Sequence, residues 1–101
     1  METHLSHKDI LNFLRNEKTF LRNEFGVISI GLFGSYAKGT QQADSDIDMV
    51  VEIEKRKKNI HSFMKLKRFL EKELSSKVDL GFENTLKPII KEKIKGEIIY
   101  V

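Results

Sequence analysis

The residues of this chain whose types and spacing could do chemistry are few. Asp46 and Asp48 stand two apart at the start of an apolar run, Asp79 lies alone between Val78 and Leu80, and Gly34-Ser35 directly follows the run Val27–Phe33, with Lys38 three residues on. Carboxylates spaced two apart on a strand leave it on one face. A third carboxylate converging on that face repels the other two, and the group is costly unless cations compensate it. Oxygen-only ligands at this spacing suit Mg²⁺, a hard ion that keeps several waters and shares its coordination with substrate phosphates. Gly34 lets a phosphate approach the backbone closely, and amides around Ser35 would point at it if a helix starts there. Lys38 adds a point charge near the outer phosphates.

Each feature alone has a plainer reading. A Gly-Ser pair after a strand is usually a turn, an Asp-x-Asp a solvated strand end, and a lone Asp an exposed residue on a sheet face. Order and context together favour a site.

The elements that must position these residues are legible as patterns. Ser6 followed by Asp9 resembles a capping box, and Ile10, Leu11, Phe13 and Leu14 then recur at helical spacing. One or two helices are expected over residues 7–24, with a break near Asn16 and a stop at Gly26. Residues 27–33 read as a buried strand and residues 34–43 as a turn, with room for one helical turn, followed by a loop. In residues 46–53 the side chains of Ile47, Met49, Val51 and Ile53 point one way and those of Asp46, Asp48, Val50 and Glu52 the other. Ile60–Leu74 reads as a helix with Phe63, Leu66, Leu70 and Leu74 inward. Residues 77–80 read as a third strand and residues 85–95 as a helix with Pro88 in its first turn. Gly96 ends that helix, and residues 97–101 form a closing strand; Ile98, Ile99 and Tyr100 make an edge that either pairs with another chain or is covered.

Composition bounds the rest. With 101 residues, 40% hydrophobic and 33% charged, one proline and no cysteine, the chain has room for one folded domain, 1–101, and none for disulfides or thiolate metal sites. No signal-peptide plan and no membrane-length apolar run is present, which makes the cytoplasm the expected location. The net charge of +3 hides an asymmetry: residues 1–54 hold five Lys/Arg against nine Asp/Glu, and residues 55–101 hold thirteen against six. The basic half reads as solvated helix faces, and Lys55-Arg56-Lys57-Lys58 as a solvated connection, so nucleic acid is not the expected partner. His4, His7 and His61 are too scattered for a metal site, and Tyr36 reads as packing beneath its loop.

Gly34-Ser35-Tyr36-Ala37-Lys38-Gly39, a short loop, then Ser45-Asp46-Ile47-Asp48-Met49-Val50-Val51 resembles the signature of the DNA polymerase beta-type nucleotidyltransferase superfamily. Within it the chain is similar over nearly its whole length to the minimal nucleotidyltransferases, or MNT proteins. Phe25-Gly26-Val27, Leu32-Phe33, Val78-Asp79-Leu80 and Glu97-Ile98-Ile99-Tyr100 fit that pattern too.

The resemblance implies an α/β (α+β) fold, a small mixed β-sheet backed by helices with an open cleft above it. It also implies transfer of a nucleoside monophosphate, AMP from ATP, with two Mg²⁺ ions. Asp46 and Asp48 would bind the metals, and Asp79 would complete the catalytic metal site and orient or deprotonate the acceptor hydroxyl. Gly34 and Ser35 would hold the triphosphate. Lys38 stands where these proteins very often carry arginine, keeping the charge but losing the bidentate fork.

MNT proteins commonly pair with a small helical HEPN ribonuclease toxin, and the resemblance makes that partner the expected acceptor. Two other roles remain open: a binding module that neutralises a partner by contact, and a subunit of a small-molecule nucleotidyltransferase.

Overall fold

The computed structural model describes residues 5–42, 45–83 and 96–101. Helix α1 spans His7–Asn16 and α2 Lys18–Phe25, so the expected break falls at Glu17. Ser6 caps α1 as expected: its hydroxyl accepts from the Asp9 amide while the Asp9 carboxylate accepts from the Ser6 amide. That donated N–H, followed by the Ser6 hydroxyl, holds the Asp9 carboxyl below its usual range. Gly26 ends α2 in the left-handed region, φ 69°.

Strand β1 covers Val27–Phe33, the one-turn helix α3 Gly34–Lys38, and β2 Ile47–Ile53. A short 3₁₀ turn over Lys55–Lys57 leads to α4, Ile60–Leu74, whose bounds match the sequence pattern. Strand β3 is Val78–Phe82 and β4 is Ile99–Tyr100. The helix expected over residues 85–95 lies outside the described residues.

The sheet order is β3-β2-β1-β4. Strands β1 and β2 are antiparallel, β1 and β4 are antiparallel, and β2 and β3 run parallel. Parallel neighbours need a long crossover, which α4 supplies. The mixed sheet follows from one short connection and one helical crossover.

One face of the sheet carries the core. Ile47, Met49, Val51 and Ile53 of β2 pack with Ile30 and Leu32 of β1 and Val78 and Leu80 of β3. Helices close over them with Ile10, Leu14, Leu21, Leu66 and Leu70, all fully buried. Phe13, Phe20 and Phe25 gather around Phe69 of α4, with ring centroids 5.1–6.3 Å apart. Phe63, expected to face inward, is only partly buried, because it stacks on Phe82 at the edge of the core. The opposite sheet face holds the polar set of β2, with one exception. Val50 is 1% exposed although its neighbours two residues away are Asp48 and Glu52.

Candidate active site

The register of the sheet explains why the carboxylates meet. Phe33, the last residue of β1, lies opposite Asp48, and Asp48 lies beside Asp79 of β3. Residues paired across neighbouring strands share a face, so Asp48 and Asp79 leave the sheet together, opposite the core. The Ile47 amide donates to the Lys77 carbonyl at 2.9 Å, which locks the start of β2 to the start of β3. Asp46 immediately precedes that junction and is exposed, as is Asp79, while Asp48 is half-buried.

The electrostatics record the convergence. The Asp48 carboxyl is held above the usual carboxylate range, first by burial, then by the negative charges of Asp79 and Asp46, and by a hydrogen bond with Asp79. Of the three aspartates expected to emerge together, Asp48 and Asp79 lie side by side, and Asp46 is near enough for its charge to act on Asp48.

Gly34 lies on the other side of Asp48. Its φ is +75°, and a Cβ built there would stand 2.3 Å from the Asp48 carboxylate. Glycine is therefore required twice at this position, by the turn and by the close approach of Asp48. The turn starts α3 with Phe33 as an extended N-cap and no side-chain cap, so the first-turn amides are free of intrahelical acceptors. Ser35 occupies that first turn, which is the arrangement its sequence position suggested. Gly39 closes α3 in the left-handed region, and the Thr40 amide donates to the Ser35 carbonyl at 2.9 Å. Tyr36 is 7% exposed and belongs to the core, in keeping with its reading as packing.

Lys38 ends α3, and its Nζ lies 3.2 Å from a carboxylate oxygen of Glu97. Both side chains are well exposed, so the pair is weak and open to competition from a phosphate. The loop beyond is pinned at its base, where the Gln42 amide donates to the Ser45 hydroxyl and Gln41 donates to the Leu5 carbonyl. His61 is exposed on α4 and His7 opens α1, while His4 lies outside the described residues.

Among the described residues, no group of three or more His, Asp or Glu side chains forms a ready-made metal cage. The carboxylates of Asp48 and Asp79, side by side and next to the first-turn amides of α3, are hard oxygen donors that suit a divalent ion completing its shell with phosphate and water.

Two features of the face escaped sequence reasoning. The Tyr100 hydroxyl donates to the Glu83 carboxylate, joining β4 to the residue after β3. The Tyr100 ring passes close over Gly31, where a Cβ would meet Tyr100 atoms at 3.1 and 3.3 Å. That close approach, together with Ile98 at 2.5 Å from the same Cβ, explains Gly31. A glycine inside an otherwise β-branched run was the available signal.

Among the described residues, no helix is long and apolar enough to cross a membrane. The model of the nucleotidyltransferase domain matches residues 14–101. A protein of Methanocaldococcus jannaschii named as a protein adenylyltransferase is 39% identical over 95 residues, covering 92% of this chain and 95% of the relative. The protein adenylyltransferase MntA of Thermococcus cleftensis is 37% identical over 97 residues, covering 96% and 97%. Among solved structures, a minimal nucleotidyltransferase superposes with a TM-score of 0.79 at 30% identity over 96% of this chain and 97% of the other. A toxin–antitoxin structure with AMP-PNP superposes with a TM-score of 0.67 at 27% identity, covering 95% of this chain and 72% of the other. Sheet order, site geometry and these similarities agree: this chain is an enzyme that belongs to the nucleotidyltransferase family.

Proposed function

We propose that this chain, acting as one unit over residues 1–101, transfers AMP from ATP to a hydroxyl of a HEPN-type helical toxin and so serves as its antitoxin. The observation that carries this reading is the pairing of Asp48 with Asp79 beside the Gly34 start of α3. Support for a protein acceptor comes from relatives named protein adenylyltransferase, and for a toxin partner from the toxin–antitoxin structure with AMP-PNP.

Asp46 and Asp48 would hold the Mg²⁺ ions, with Asp79 completing the site nearest the acceptor. Bound there, the ions would supply charge neutralisation for the phosphates and make the attacking hydroxyl easier to ionise. Amides at Gly34 and Ser35 grip the phosphates, with Lys38 exchanging Glu97 for an outer phosphate oxygen. Asp79 orients the acceptor hydroxyl and takes its proton. The hydroxyl oxygen bonds to the α-phosphorus as the bond to the bridging oxygen breaks, and pyrophosphate leaves. Positioning and charge stabilisation account for most of the acceleration. An uncovered site would lose activated nucleotide to water, so docking of the acceptor also serves as the lid.

Lys38 held by Glu97 favours a second reading, neutralisation of the toxin by contact with little transfer. Co-expression with a HEPN-type protein from the same genome, followed by intact-mass measurement, separates the two. Transfer adds one or more increments of about 329 Da to the partner, the mass of an AMP group, and Asp79→Asn removes them. A complex that forms while the partner stays unmodified under saturating ATP and Mg²⁺ sinks the catalytic reading.

A further inference from the structure

Lys38 is the one charged residue of α3, and the sheet brings a counter-charge to it. Strands β1 and β4 pair antiparallel, with Gly31 opposite Tyr100 and Leu32 opposite Ile99. Carried two residues on, the same register sets residue 97 opposite Gly34, where β1 gives way to α3. Glu97 therefore reaches α3 from the β4 side, as Asp48 does from the β2 side. Its carboxylate oxygen lies 3.2 Å from Lys38 Nζ, with both side chains about half-exposed. The strand does not depend on this pair, since β4 is held by its backbone pairing with β1 and by the bond from Tyr100 to Glu83.

The contact bears on what the site binds. A lysine ammonium is a compact charge on a flexible stem. Turned to Glu97, it has to leave that carboxylate, or share its donors with it, before it can serve a phosphate oxygen. A polyphosphate arriving at α3 also meets the negative charge of Glu97 itself. A ligand without outer phosphates meets neither cost. The penalty therefore falls on the charged end of a nucleotide and spares the nucleoside.

We propose that Glu97 is a specificity-determining residue: its carboxylate competes with the outer phosphates for Lys38 and so sets how tightly the triphosphate and the departing pyrophosphate are held. This inference rests on the proposed nucleotide site. Pyrophosphate has to give up Lys38 at the end of each turnover, and Glu97 stands in place to take it back.

Calorimetry on four chains tests this: unsubstituted, Glu97→Gln, Lys38→Met and the double variant, each titrated well below its thermal midpoint. Glu97→Gln keeps the size of an exposed side chain and removes its charge. ATP with Mg²⁺ should bind Glu97→Gln about two- to fivefold more tightly, the range that an exposed ion pair contributes. Pyrophosphate with Mg²⁺ should gain by a similar factor, and AMP, which lacks the outer phosphates, should gain nothing. Lys38→Met should weaken ATP binding, and adding Glu97→Gln to it should recover less than the same change does beside Lys38. Unchanged or weaker ATP binding in Glu97→Gln overturns the competition. An equal gain with and without Lys38 overturns it too, by making Glu97 a plain repulsive charge, as does an equal gain for AMP. Each of these leaves the proposed function standing where the unsubstituted chain binds ATP with Mg²⁺ and modifies a HEPN-type partner. An unsubstituted chain that binds no ATP overturns both readings together.

Discussion

Asp48 is squeezed between a glycine that makes room for it and two carboxylates that repel it, and its ionisation reports the balance. Its folded-state pKa lies above the ordinary value, so the folded protein binds this proton more tightly than the unfolded chain does. The stability so gained is complete below the usual carboxylate range and is lost as pH rises through the raised value. Without divalent ion, thermal midpoints are therefore expected to lose this contribution as pH rises through and just above the usual carboxylate range, and less so in Asp48→Asn. The same substitution should lower transfer by at least about 100-fold, as loss of a charge-stabilising group does, while the fold at neutral pH is kept or gains stability. Near-normal turnover of Asp48→Asn with Mg²⁺ and ATP would remove Asp48 from the site. A two-residue spacing places Asp46 and Asp48 on one face of an extended strand and was legible in the sequence, whereas the placing of Asp79 beside Asp48 depends on the register between β2 and β3.

At the scale of elements, the junction of β1, α3 and β2 sets the site. Gly34→Ala would force a left-handed backbone on a residue with a Cβ, at about 1–2 kcal/mol, and drive that Cβ into the Asp48 carboxylate. We expect lower thermal stability together with lost activity, and no recovery of activity at temperatures where the variant is fully folded. Recovery there would mean that Gly34 serves only the turn. Helix α4 was readable to the residue, because Asn59 caps it and Leu66, Leu70 and Leu74 form one stripe. The closing strand was less so. Five residues were expected there, two form the strand, and the Val101 amide adds one more hydrogen bond to the Ile30 carbonyl at 3.2 Å. Val50 was assigned to the polar face by alternation alone. It does lie on that face and is nonetheless buried, because alternation carries no information about what covers a face.

For the molecule as a whole, Tyr100 spans the sheet from β4 to Glu83 beyond β3. Burial, then the hydrogen bond and charge of Glu83, push its phenol up to about 12. The folded-state value again exceeds the unfolded one, so this contribution is whole below the ordinary tyrosine pKa and disappears as pH climbs through the raised value. Tyr100→Phe should cost up to about 1 kcal/mol, the range of an exposed hydrogen bond. It should also flatten the alkaline limb of a denaturation-midpoint profile, and a limb equally steep in Tyr100→Phe would exclude this pair as its source.

The order of the strands also has a kinetic consequence. Gly34, Ser35 and Asp46 lie within the connection between the antiparallel strands β1 and β2, and Asp48 is the second residue of β2, whereas Asp79 joins only after the chain has closed the longer loop through α4. Short loops close before long ones at equal reward. The side of the site built from Gly34 to Asp48 is therefore expected to form early in folding, and Asp79 to be set in place last, on strand β3 beyond the crossover.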